Sequence, residues 1–240
     1  MGRSIASLAL QDGAFTIGAA LEAAGHEAIG RDLGLVLGQP SDVGVKVVAD
    51  ARSAIAQGDV VVEFTTPDVT VAHVQLAREL RKPMVIGTTG LSDAQAETVR
   101  LAAGAIPVVL SPNMSLGVNV LFELARTAAE RLGPGYDIEV VESHHRQKKD
   151  APSGTAKRLV EVLASARKQL PGAIPVHALR AGDIVGDHTV ILAGPSERLE
   201  LTHRAHAREA FARGALRAAR FVIGKKPGLY DMSHVLASPP

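Results

Sequence analysis

Residues 59–68 read D-V-V-V-E-F-T-T-P-D. Three consecutive valines suit a strand buried on both faces, because β-branched side chains pack well on a pleated surface. The Thr65-Thr66-Pro67-Asp68 that follows is turn chemistry, and a helix is expected over residues 69–80. The same grammar recurs on the C-terminal side. Residues 83–87 (P-M-V-I-G) predict a strand running into Thr88-Thr89-Gly90, and a helix capped by Ser92 or Asp93 ends near Ala103. Residues 106–110 predict another strand, closed by Ser111-Pro112-Asn113-Met114. On the N-terminal side, residues 15–21 predict a strand ending at Glu22, and residues 45–49 a short one.

Apolar strands alternating with helices imply a parallel sheet covered on both faces. In such sheets ligands bind beyond the carboxyl ends of the strands. Those ends carry Glu22, Thr65-Thr66, Gly87-Thr88-Thr89 and Ser111-Pro112-Asn113. Any one of these loops reads as an ordinary turn; several at one edge point to a nucleotide crevice.

The second half changes character. After a helix over residues 116–132, strands over 136–142, 177–185, 189–193 and 198–205 alternate polar and apolar residues. That pattern predicts an open antiparallel or mixed sheet with one face exposed or covered by another subunit. A helix over 208–223 and a short tail follow. The expectation is an α/β protein: a Rossmann-like nucleotide domain of residues 1–115 and 224–240, and an inserted α+β domain of residues 116–223 for substrate binding and oligomerisation.

Composition narrows the function classes. The 240 residues include no cysteine, which excludes disulfides, thiolate chemistry and cysteine–zinc sites. The formal net charge of +1 gives no general attraction to nucleic acid, and seven Phe and Tyr with no Trp are a poor supply of stacking platforms. No apolar run has the length of a membrane span, and a cytoplasmic setting is the expectation.

The chemistry concentrates in residues 140–156, V-V-E-S-H-H-R-Q-K-K-D-A-P-S-G-T-A. A strand here releases five basic side chains just before a helix N-terminus. That terminus offers unpaired N–H groups and a partial positive charge, and Ser153-Gly154-Thr155 would cradle a carboxylate or phosphate there. With Lys148 and a histidine able to exchange protons at neutral pH, the stretch makes a site for a small anion. The plainer alternative is a solvated basic turn. Adjacent histidines on a strand point to opposite faces, so a shared metal ion is not expected.

The run Glu139-x-x-Glu142-x-His144-His145-x-x-Lys148-x-Asp150-Ala151-Pro152-Ser153-Gly154-Thr155-Ala156 resembles the signature of the 4-hydroxy-tetrahydrodipicolinate reductase (dihydrodipicolinate reductase) family. The resemblance extends to Glu63-Phe64-Thr65-x-Pro67, residues 85–90, Asn113-Met114-Ser115-x-Gly117-Val118-Asn119, residues 180–188, residues 197–205 and residues 228–232, and so covers nearly the whole chain. It implies reduction of a cyclic imine dicarboxylate by NADH or NADPH in the diaminopimelate and lysine pathway, by a homotetramer built through the open sheet. By the same resemblance His144 is the acid/base and Lys148 the proton donor, His145, Gly154 and Thr155 bind substrate, and Glu22, Gly87, Thr88, Thr89, Ser111, Pro112, Asn113, Met114 and Met1 fall at cofactor positions.

The sequence departs from the family pattern in three places. The family opens with a strand and a glycine-rich turn; Met1-Gly2-Arg3 matches the end of that turn, so the expectation is a start placed at an internal methionine of a longer protein. A short chain that binds dinucleotide poorly is the alternative. Ala23 stands where some relatives carry an arginine for the extra phosphate of NADPH, so NADH is expected to be preferred, with Arg31 as a second candidate for that phosphate. The loop between Leu170 and His177 is shorter than in some relatives. Other readings stay open beside the reductase: an inactive dicarboxylate-binding homologue, or a related oxidoreductase acting on another small acid.

Some further residues carry expectations. Asp150 is expected to cap the following helix, the alternative being to orient Lys148. His203-x-x-His206 is expected to serve packing or surface rather than a metal, and Arg213, Arg217 and Arg220 to form a solvated helix face.

Overall fold

A computed structural model describes residues 1–239. Two compact units are formed: Met1–Met114 together with the chain from Phe211 onward, and Ser115–Ala210.

The first unit opens with α1 (Gly2–Gln11), followed by β1 (Ala20–Leu21), α2 (Leu33–Val36), β2 (Val47–Val48) and α3 (Ala51–Gln57). Then β3 (Val61–Glu63), α4 (Pro67–Glu79), β4 (Met84–Ile86), α5 (Asp93–Ala103) and β5 (Pro107–Leu110) alternate as the apolar runs require. Pro67 sits in the first turn of α4, where its missing N–H costs nothing. Ser92, not Asp93, caps α5, in a capping box with Gln95. Every residue of β4 is buried, as expected for a central parallel strand. Met84, Ile86 and Val108 pack against Val74, Ala77, Val99 and Ala102 from the neighbouring helices.

The second unit begins with α6 (Leu116–Leu132) and β6 (Asp137–His144), then α7 (Gly154–Arg167), β7 (Val176–Arg180), β8 (Gly186–Ala193) and β9 (Arg198–Ala205). Its sheet order is β7-β6-β8-β9, parallel between β6 and β7 and antiparallel elsewhere, so the sheet is mixed. Burial alternates strictly along β8. Val140, Val190 and Leu192 face Leu121, Ala125, Leu159 and Leu163 of α6 and α7, and the other face carries Glu139, Val141, Asp187, Thr189 and Ile191. The chain then forms α8 (Glu209–Val222), β10 (Gly228–Tyr230) and α9 (Met232–Leu236). β10 completes the parallel sheet β10-β5-β4-β3 of the first unit.

Three expectations are corrected. The strand over residues 15–21 forms a ladder only at Ala20–Leu21, because its one neighbour, β2, is equally short; this pair is a separate sheet from β3–β5. The strand over 177–185 ends at Arg180, where Gly182 turns the chain at φ 51°. The helix over 208–223, assigned from sequence to the inserted domain, lies with the first unit from Phe211 onward. Arg220 of α8 grips the Asp12 carboxylate at 2.6 and 2.8 Å, and Arg217 donates to the Ser238 carbonyl at 3.0 Å. Of the three helical arginines read as a solvated face, these two therefore tie the first unit together.

Candidate active site

In the first unit β3, β4 and β5 run parallel with Glu63, Ile86 and Leu110 in one register, so their carboxyl ends share one edge. Gly87 N–H donates to Glu63 O at 2.9 Å and Ser111 N–H to Ile86 O at 3.1 Å, which brings the two loops level. A Cβ at Gly87 would lie 2.2 Å from the Phe64 ring, so a larger residue there would have to displace that ring. Thr88 is buried and its hydroxyl accepts from Thr70 at 2.8 Å, while Thr89 and Pro112 are exposed. Ser111 Oγ donates to Asn113 O at 2.8 Å, fixing the turn that buries Met114.

Glu63, quoted in the family motif, carried no role in the sequence. Its carboxyl is buried at the end of β3 and accepts from the Thr65 N–H at 3.1 Å, the Thr65 hydroxyl and His73 Nδ1 at 2.6 Å. Carboxyl and imidazole ten residues apart on a strand and the next helix are a legible sign of such a pair. Glu22 is exposed at the end of β1, in the separate two-stranded sheet rather than at the shared edge. Met1 precedes α1 and its carbonyl accepts from Ile5 N–H at 3.1 Å.

In the second unit His144 ends β6 with its ring on the inner face, buried, and His145 leaves the strand to meet Gln147 at 3.1 Å. The two histidines are thus separated, as the strand period requires. Ser153 caps α7 through its hydroxyl, which accepts from Ala156 N–H at 3.2 Å. Asp150 is not the cap: it pairs with Lys148 at 2.8 Å, which leaves Ser153 to satisfy the helix end. Gly154 is exposed and Thr155 half-buried in the first turn.

Beneath these residues lies a polar network whose parts the sequence reading quoted without roles. Glu142, two residues before His144 and so on the same face, is fully buried. One of its oxygens receives His144 Nδ1 and Arg180 Nη1, the latter at 3.0 Å. The other receives Arg180 Nη2 at 2.8 Å and the Ser153 N–H at 3.2 Å. Ser153 Oγ also meets His188 Nε2 at 3.2 Å, and the His188 ring stands edge-on to His144 at 5.2 Å. Glu142 on the same face as His144 was legible from strand period. Arg180, paired with His144 across β6–β7, was not, since it lies 36 positions away.

The electrostatics follow from this packing. Burial pushes the Glu142 carboxyl up, but the hydrogen bonds from Arg180, His144 and Ser153 outweigh it and hold the group below the usual range. Burial lowers His144; Glu142 raises it; Lys148 and Arg180 lower it again, and the net shift is downward, so the imidazole is neutral at pH 7. Burial, with the neighbouring His144, pushes His188 down to about 3. His203 faces Ser115 Oγ at 3.3 Å, and no cluster of metal-ligating residues occurs among the described residues.

Comparison with known proteins agrees with this arrangement. Residues 1–114 match the family model "Dihydrodipicolinate reductase, N-terminus" and residues 117–236 match "Dihydrodipicolinate reductase, C-terminus". The 4-hydroxy-tetrahydrodipicolinate reductase of Syntrophus aciditrophicus is 46% identical over 98% of this chain and 94% of its own. That of Anaeromyxobacter dehalogenans strain 2CP-1 is 47% identical over 98% and 93%. A dipicolinate-bound dihydrodipicolinate reductase from Paenisporosarcina sp. TG-14 superposes with a TM-score of 0.79 at 26% identity, over 96% of this chain and 92% of that one. An amine dehydrogenase from Mycobacterium smegmatis, at 13% identity and a TM-score of 0.66, shares the fold. The fold and site define a two-unit α/β oxidoreductase. The chain belongs to the dihydrodipicolinate reductase family.

Proposed function

We propose that this chain reduces 4-hydroxy-tetrahydrodipicolinate to tetrahydrodipicolinate with a nicotinamide dinucleotide, within diaminopimelate and lysine biosynthesis. The observation that carries the reading is the joint anchoring of His144 and the Ser153 cap on one buried carboxylate, next to the Lys148–Asp150 pair.

The edge formed by β3, β4 and β5 fits a nicotinamide nucleotide, because its small and hydroxyl residues let the backbone approach a ligand. Gly87, Thr88, Thr89 and residues 111–114 would hold it, with Met1 and Glu22 as further contacts. When bound, the nicotinamide supplies the hydride. In the second unit the N–H groups at Gly154 and Thr155 would hold a substrate carboxylate at the start of α7, with His145 as a further contact. The Lys148 ammonium carries only donors and is the proton source for the ring carbon; neutral His144 accepts and returns protons through Nε2. The plain test follows NADH oxidation with the upstream synthase, pyruvate and aspartate semialdehyde supplying the unstable substrate. Absence of turnover by the 240-residue chain would leave binding of the dicarboxylate without chemistry as the reading.

Two finer points belong to the same proposal. Ala23, exposed beside Glu22, offers no side-chain donor to a ribose phosphate, so kcat/KM is expected to favour NADH. A clear advantage for NADPH would assign Arg31 to that phosphate instead. The open sheet face presents Val141, Leu179 and Ile191 among the polar pairs Glu139–His177 at 2.6 Å and Asp187–Arg204 at 3.7 Å. Apolar residues among paired opposite charges suit a self-complementary contact, and a homotetramer is proposed. Sedimentation equilibrium should give four chains; a monomer at micromolar concentration would refute it.

A further inference from the structure

Glu142 is fully buried and its partner Arg180 half-buried, and neither has been given a part in the chemistry above. A carboxylate held away from water needs every lone pair occupied, and this one has four donors from three different elements. Arg180 is anchored independently, donating to the Asp150 carbonyl and to the Leu179 carbonyl, each at 2.6 Å. The result is a rigid fork on β7 that fixes a carboxylate on β6, which in turn fixes an imidazole and a helix N-cap.

We propose that Glu142 and Arg180 are positioning residues for the reaction, holding the His144 ring and the Ser153-Gly154-Thr155 cradle as one unit. The proposal rests on the reading of His144 as the proton-handling group. With Nδ1–H given to Glu142, His144 keeps Nε2 for exchange. Gly186 on β8 leaves room on that side, since a Cβ there would lie 3.1 Å from Nε2. A merely structural ion pair would stabilise the unit without setting which nitrogen carries the proton.

The titratable and charged groups facing His144 are Glu142 on its own strand, Lys148 in the following turn, Arg180 on β7 and His188 on β8, with Asp150 paired to Lys148. Glu142 raises the proton affinity of the ring and Arg180 lowers it. The two therefore make opposite predictions, which loss of fold stability would not.

The test is a pH titration of the His144 Cε1 resonance in histidine-labelled protein without substrate, assigned with His144→Gln. In Glu142→Gln the midpoint should fall, and in Arg180→Met it should rise. In turnover, Glu142→Gln should lose about ten- to a hundredfold in kcat, because its amide turns an N–H toward Nδ1 and moves the ring proton to Nε2. Arg180→Lys should recover part of the Arg180→Met loss, since it restores the charge without the fork. Midpoints that stay put, or move together, overturn the proposal; should Glu142→Gln fail to fold, the direction found in Arg180→Met decides alone. Because the titration needs no turnover, an inactive parent chain would sink the reductase reading and leave this result standing.

Discussion

His144→Gln is expected to lower kcat by about 10²–10⁴-fold, with a much smaller change in KM for the dicarboxylate. The ring is buried and its Nδ1 is committed to Glu142, which leaves Nε2 for the proton exchange proposed above. Glutamine cannot take up and release a proton there. Lys148→Met should cost a comparable factor, because Asp150 then loses its 2.8 Å partner and the site loses its ammonium donor. Groups that act in one proton transfer are not additive, so the double variant should lose far less than the product of the single losses. Nicotinamide oxidation under saturating substrate gives kcat for all three. Single variants within tenfold of the parent would move the proton chemistry to other residues, and a double variant equal to the product would separate the two into independent steps.

Proton affinity gives this reading a direction. Burial leads the downward shift of His144, and Glu142 only partly opposes it. The inflection owed to His144 should therefore lie below the ordinary histidine value in a kcat/KM profile. A neutral His188 beside it, held near 3, adds no competing charge at neutral pH.

How much of this was legible in the residues depended on distance along the chain. The strands of the parallel sheet were readable from the run of β-branched residues at 60–62 and its two successors; burial on both faces explains the unbroken apolar word of β4, whereas β3 lies at the sheet edge with Val61 and Val62 half-buried. The alternation along β8 gave the open sheet for the converse reason. The His144–His145 separation and the Ser153-Gly154-Thr155 helix start followed from local period and capping chemistry. What the sequence hid were pairings set by tertiary register. Nothing local says that Arg180 stands opposite His144, or that His188 shares Ser153 with α7. Asp150 looked like a cap because caps are often aspartate; the choice of Ser153 depends on where the helix starts, a boundary that propensity places only to within a residue or two. The short β1 reflects the same limit, since a strand extends only as far as its neighbour does.

Gly214→Ala offers a reversal of sign that isolates packing from propensity. In a helix interior alanine is ordinarily favoured over glycine by about 1 kcal/mol. Gly214, however, lies on the buried face of α8 with the backbone of Met114 directly against it. A Cβ would lie 1.7 Å from the Met114 carbonyl oxygen and 2.8 Å from its carbon. Both atoms belong to the main chain, so relief requires moving α8 or the loop after β5 rather than turning a side chain. That movement should cost about 3 kcal/mol, enough to outweigh the helical gain. It should also weaken dinucleotide binding, because Met114 ends the loop proposed to hold the cofactor. Gly2→Ala, in α1 with nothing within 4 Å of its Cβ, is the control and should leave stability unchanged or slightly raised. Urea unfolding of both variants reads the difference in midpoint directly. A Gly214→Ala chain as stable as the Gly2→Ala chain would mean that α8 does not rest on the Met114 carbonyl, and would leave the Arg220–Asp12 and Arg217–Ser238 contacts as its ties to the first unit.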